Sequence, residues 1–332
     1  MKIILNQAPR TILICLVLLV ALAPVVPGWL LFLLTVAFAK AMVVLGVVLL
    51  LRGDLVSFGH SLYYALGAYT VGFSMRNFQI REALILIVLG TLVATALAAI
   101  VGLFLSRYRG IFFGMLSTAF SMILYSLLLK LYWFTGGTDG IAIRTPTIAG
   151  ISPGENVRLF QYYLVLLLGA ASVYISSRVV ASPLGYLMRA LWDNEIRVEY
   201  MGASVLRAIY RTYLLAGALG GLGGSLASIS VGHIAPDLAY WTMGGEFVFV
   251  ALLGGIGSVF APVVGAVVFE FVRNYAFKLS PYTWQMTLGA VLLVIILFAP
   301  GGLWSLYENF VRREKKDPEP RQEKRWALSL KR

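Results

Sequence analysis

The chain has 332 residues, 60% of them hydrophobic and 13% charged, with a net charge of +12 and a mean hydropathy of +0.85. Soluble domains carry about a quarter charged residues, and a soluble fold exposes too much surface to hide this many apolar side chains, so the composition describes an all-α, polytopic membrane protein. The basic residues lie in short segments rather than on one face, which argues against nucleic-acid binding, and one cysteine (Cys15) with two histidines (His60, His233) excludes an internal disulfide and a Cys- or His-rich metal centre.

A span needs about 20 apolar residues. The first run is Thr11 to Pro27. Lys2, Arg10 and the Ala21-Leu22-Ala23 triplet imitate a signal peptide, but Pro24 disfavours cleavage, so the segment reads as an uncleaved first span. Trp29 to Leu51 follows, closed by Arg52 and Asp54. Next come Leu55 to Met75, Ala83 to Leu105, Ile111 to about Phe134, and Phe160 to Val180. After a polar stretch come Ala208 to Val231, a Gly-broken run from Phe247 to Val272, and Trp284 to Pro300.

Arg189, Arg197, Arg207 and Arg211 lie between Ala181 and Arg211, and a second basic group follows Glu308. Both should be cytoplasmic. An even number of crossings must separate them, so the region from Gly245 to Tyr275 crosses twice, as a hairpin joined near Gly254-Gly255-Ile256-Gly257-Ser258. At about 1.5 Å per residue it is too short for two full spans, so one half is partial or re-entrant. The count is about ten transmembrane or partial helices, with both termini cytoplasmic and residues 135–159 external. Residues 1–307 form the membrane domain, and 308–332 form a charged, Pro-containing tail expected to be poorly ordered.

Ser182 can cap a helix that Pro183 begins and Gly202 ends. Within residues 182–203, Arg189, Asp193 and Arg197 recur every four residues, which places them on one helical face. Leu187, Leu191 and Val198 make an apolar stripe beside them, with Trp192 alongside. A surface helix with a charged and an apolar face suits insertion into a partner's groove; a connector lying on the membrane is the plainer reading. Ser57, Gly59 and His60 open another span, where glycines free backbone groups that must be buried in protein or line a wet cavity. His60 as a packing residue is the plainer reading there. Glu246 stands near the start of the Gly-broken run and is a pathway candidate, with solvation at the membrane edge as the plainer reading. Asp237 and Glu270 are weaker cases. Gly220-Gly221-Leu222-Gly223-Gly224-Ser225 reads as close helix packing. The chain has no phosphate-binding GK[ST] loop, no HExxH and no GxSxG, so neither ATP hydrolysis by that route nor an intramembrane enzyme is supported.

Five stretches, in order, resemble the M-type permease subunits of branched-chain amino acid ABC importers. They are Ser57-Phe58-Gly59-His60 with Gly67-Ala68-Tyr69; Thr135 to Ile141 (TGGTDGI); Arg189-Ala190, Asn194-Glu195 and Gly202; Gly254 to Ser258 with Pro262 and Gly265; and Pro300 to Leu303. The chain departs from the family pattern at Phe58, Trp192, Arg197-Val198 and Ala261. The resemblance, over roughly residues 35 to 304, implies a non-enzymatic inner-membrane subunit working by alternating access, with no cofactor. It implies a second, H-type permease, two cytoplasmic ATPases and a periplasmic binding protein as partners. It makes Arg189, Ala190, Asp193, Asn194, Glu195 and Gly202 the ATPase-coupling residues. Ser57, Gly59, His60, Glu246, Gly254, Gly255 and Gly257 are the translocation-pathway candidates. The implied solute is a branched-chain amino acid or a similar small organic molecule such as urea or an amide. The competing reading is an ion-coupled secondary transporter, which would require a buried ion site on a broken helix.

Overall fold

A computed structural model describes residues 16–147, 154–299 and 301–306. The start of the first run, Cys15, Pro300 and the 308–332 tail lie outside the described residues. Each predicted apolar run reappears as a helix: α1 (Leu16–Val25), α2 (Gly28–Leu51), α3 (His60–Asn77), α4 (Ala83–Leu105), α5 (Gly110–Lys130), α7 (Val157–Val180), α10 (Val205–Val231), α11 (Trp241–Gly254), α12 (Ala261–Leu279) and α13 (Trp284–Phe298). Short α6 (Tyr132–Thr135) follows α5, and α8 (Pro183–Asp193) and α9 (Glu195–Tyr200) fill the polar stretch. Helices α2, α4, α5, α7 and α10 are each long and apolar enough to cross a membrane. The third helix begins at His60 rather than Leu55, because Gly53 and Asp54 turn the chain after α2 and Asp54 takes φ +59°.

Contacts between loops sort the bundle into two ends. At the end carrying α8 and α9, the α4–α5 junction at Arg109 meets Glu195, and Arg52 meets Ile256 and Gly257. At the far end, β1 (Ile141–Ala142) pairs antiparallel with β2 (His233–Ile234), with Ile141 opposite Ile234 and Ala142 opposite His233, and Glu82 bridges to Thr147. This division agrees with the alternation that charge parity predicts, including the α11–α12 hairpin. α11 has 14 residues and reaches about 21 Å at 1.5 Å per residue, less than the roughly 30 Å hydrocarbon layer.

The centre is α10, packed against α2, α3 and α4. A hydrophobic effect between helices is unavailable in lipid, so close backbone approach and dispersion carry the association. The glycines allow it: a Cβ on Gly224 would run into the Tyr64 carbonyl, and one on Gly67 into that of Gly221. α2 is buried along nearly its whole length from Ala37 to Leu51, on every side of the helix, as expected of an all-round apolar helix inside a bundle.

Candidate functional site

The segment at 182–203 forms as two helices, not one. Ser182 takes the N-cap position with extended backbone, and Pro183 starts α8. The Ser182 hydroxyl donates back to the Val179 carbonyl (2.6 Å) instead of capping α8. α8 stops at Asp193 because Asn194 adopts extended backbone (φ −168°, ψ 109°), and its side-chain oxygen accepts from the Arg197 amide at 3.0 Å. Asn194 thus caps α9. The predicted continuous face of Arg189, Asp193 and Arg197 is therefore broken: Arg189 and Asp193 share α8, and Arg197 stands on α9. Gly202 ends the segment at φ +84°.

The apolar stripe turns inward. Met188, Leu191 and Val198 are buried in a cluster with Leu50, Val205 and Ile209, and Leu187 and Ala190 pack at its edge. Burial fixes α8 to the bundle and leaves Arg189, Asp193, Trp192, Ile196 and Arg197 exposed. Glu195 is anchored from outside the segment. Arg109 Nε lies 2.9 and 3.0 Å from its two carboxylate oxygens, and Nη2 lies 2.9 Å from Oε1. This fork geometry is the strong form of a charged hydrogen bond. Arg109 Nη1 also donates to the carbonyls of Ser106 and Tyr108, which ties α9 to the α4–α5 turn. Arg109 was not among the sequence candidates, since its partner lies 86 positions away.

Ser57 and His60 sit at the start of α3, both fully buried. His60 Nδ1 is 3.0 Å from Ser57 Oγ, and Nε2 is buried without a hydrogen-bond partner. Gly59 packs on the backbone of Ser117 in α5. One turn on, Ser121 Oγ donates to the Ala239 carbonyl (2.7 Å). Its one proton is then used, so Ser61 is the donor in the 2.7 Å Ser61–Ser121 bond. Ser121 is about halfway along α5, so the 3-10 turn Pro236–Ala239 dips deep into the bundle before α11 starts.

Glu246 belongs to a buried charge cluster that sequence analysis did not anticipate. Lys40, near the middle of α2 and 3% exposed, places Nζ 2.5 Å from Glu246 Oε1 and 2.5 Å from Glu270 Oε1. Only the Glu246 contact is aligned as a hydrogen bond. Arg273 lies 3.3 Å from Glu246 and 3.6 Å from Glu270, with its guanidinium 5.4 Å from the Trp284 ring centre. Two cations and two carboxylates thus balance where isolated charges would cost several kcal/mol each. The signal that would have found Lys40 was in view: it is the one charged residue in a 24-residue apolar helix.

Gly254, Gly255 and Gly257 form the hairpin tip at the end that carries α8 and α9. Gly255 takes φ +100° and lies against the Gly301 carbonyl. The candidate pathway residues therefore fall into three groups: Ser57, Gly59 and His60 at α3; Glu246 in the charge cluster; and the glycines at the tip. His60 and Glu246 do not bond to each other.

The family described as the permease component of the branched-chain amino acid transport system matches residues 29–297. The high-affinity branched-chain amino acid transport system permease protein LivM of Salmonella typhimurium is 28% identical over 281 residues, covering 78% of this chain and 65% of that protein. LivM of Escherichia coli K12 is 27% identical with the same coverage, 78% and 65%. A probable LivM from Methanocaldococcus jannaschii is 26% identical over 185 residues, covering 51% and 52%. The chain thus spans 65% of the length of the first two relatives. No solved structure matches it.

Proposed function

The chain belongs to the family of branched-chain amino acid transport permease components, and on that premise we propose that it is the translocation subunit of an importer driven by separate ATPases. The end of the bundle bearing α8 and α9 faces the cytoplasm, with both termini on that side of the inner membrane. Two ATPases dock there, an H-type permease pairs with the chain, and a binding protein delivers solute from outside. The observation that carries this reading is the build of the docking segment. Its apolar face packs on the bundle, its charged and aromatic side chains are exposed at the surface, and Glu195 is clamped to Arg109 so that a push on the segment reaches α4 and α5. Arg189, Ala190, Asp193, Asn194, Glu195 and Gly202 are its coupling residues, and ATP hydrolysis belongs to the partners. The solute is a branched-chain amino acid or a similar small organic molecule, moved by alternating access along a path that includes the α11–α12 hairpin.

The ion-coupled alternative is disfavoured by the cluster at Lys40. The broken hairpin carries two acids, as a coupling site would require, but both carboxylates already face fixed cations. The test is co-purification in mild detergent of the C-terminally tagged chain with its natural neighbours. Two ATPases and a second permease in stable proportion are expected, together with ATP-dependent leucine uptake in proteoliposomes. Recovery of the chain alone, with uptake driven by an ion gradient, would refute the proposal.

A further inference from the structure

The docking helix and the hairpin tip do not touch each other extensively, yet one dipeptide lies between them. After α2 the chain turns at Arg52-Gly53, with the Gly53 amide bonded to Leu50 and that of Asp54 to Leu51. On one side, Arg52 Nη2 donates to the carbonyls of Ile256 (3.1 Å) and Gly257 (3.3 Å), the two residues after the left-handed Gly255. On the other side, the terminal methyl of Met188 fills the space where a Cβ on Gly53 would stand. Met188 is 2% exposed, on the inward face of α8.

We propose that Arg52 is the joint that carries movement of the docking helix α8 to the tip of the α11–α12 hairpin. The proposal rests on the docking reading above and deepens it. Arg52 and Gly53 share a planar peptide unit, so a displacement of Met188 against Gly53 shifts the Arg52 backbone from which the guanidinium reaches the tip. The neighbouring Arg189 guanidinium sharpens the constraint. Burial first, and then Arg189, push the Arg52 group below its ordinary value to about 10, which leaves it charged at neutral pH and repelled by α8 toward the tip carbonyls. The hairpin cannot simply swing away, because Glu246 and Glu270 pin its two arms to Lys40 on the same α2. The hairpin is held to α2 at the tip and at mid-depth, so α8 acts on the two as one piece. Arg52 is accordingly a positioning residue that need not meet the solute.

The experiment uses the complete complex in lipid nanodiscs and proteoliposomes. It compares solute moved per ATP hydrolysed, and hydrogen exchange at Gly254–Ser258 with and without ATP-vanadate. In Arg52→Met the ATPases should remain bound and hydrolysis should stay within about twofold of the parent, while solute per ATP falls about tenfold and exchange at the tip stops responding to nucleotide. Arg52→Lys, which still donates to a carbonyl, should recover part of the ratio. Met188→Ala, which withdraws the contact on Gly53 and keeps Arg52, should lower the ratio severalfold, and it decides the matter if Arg52→Met does not assemble. An unchanged ratio and unchanged tip response in Met188→Ala, or in an assembled Arg52→Met complex, overturns the joint. A parent chain that recruits no ATPase instead sinks the docking reading beneath it.

Discussion

Replacing Lys40 by methionine keeps an unbranched side chain one atom shorter and removes one charge. The ammonium is 3% exposed and 2.5 Å from a carboxylate oxygen of Glu246 and of Glu270. After substitution the two carboxylates share only Arg273, which is 35% exposed and stands at 3.3 and 3.6 Å. Breaking a buried ion pair by removing one partner costs about 3–5 kcal/mol, against a total stability on the order of 5–15 kcal/mol. Lys40→Met should therefore lose about a fifth or more of its stability, read as a shifted midpoint in denaturant titration of the purified protein in detergent. The double variant Lys40→Met/Glu270→Gln removes one charge of each sign and keeps the 3.3 Å Arg273–Glu246 contact, so it should recover most of the loss. Charge balance is refuted as the basis of the cluster if Lys40→Met matches the parent, or if the double variant is no more stable than the single one.

Glu195→Gln should lower stability by less than about 1 kcal/mol, because the Arg109 pair is roughly one-third exposed on each side and exposed pairs contribute little. Its solute-per-ATP ratio should nonetheless fall clearly below the parent's; equal ratios in reconstituted complexes would remove Glu195 from coupling. Gly224→Ala forces a methyl group against the Tyr64 carbonyl and should destabilise by about 1–3 kcal/mol, seen as reduced yield and an earlier thermal transition, whereas Gly245→Ala in α11, which meets only the Phe249 ring edge at 3.9 Å, should be close to neutral.

The helices were legible because each is a local property. Runs such as Ala83–Leu105 match their helix to the residue, and the break at Gly254–Ser258 follows from glycine chemistry and charge parity together. The segment at 182–203 was misread in one respect. Four-residue spacing is helical arithmetic, but Asn194 prefers to satisfy the amide of Arg197, and that local hydrogen bond ends one helix and starts the next. The pairings were not legible at all. Lys40 meets Glu246 across 206 positions, and Arg109 meets Glu195 across 86. Two-residue strands such as Ile141–Ala142 carry too little alternation to be recognised.

The glycine packing of α10 also bears on where a solute can travel. Gly46 lies against the Ala216 backbone, Gly67 against Gly221, and Gly224 against Tyr64, so main chain meets main chain from one half of α10 to the other. A gap wide enough for an amino acid cannot open along those seams without parting α10 from α2 and α3. On the importer reading proposed above, α2, α3 and α10 therefore move as one block, and the solute path avoids the seams between them.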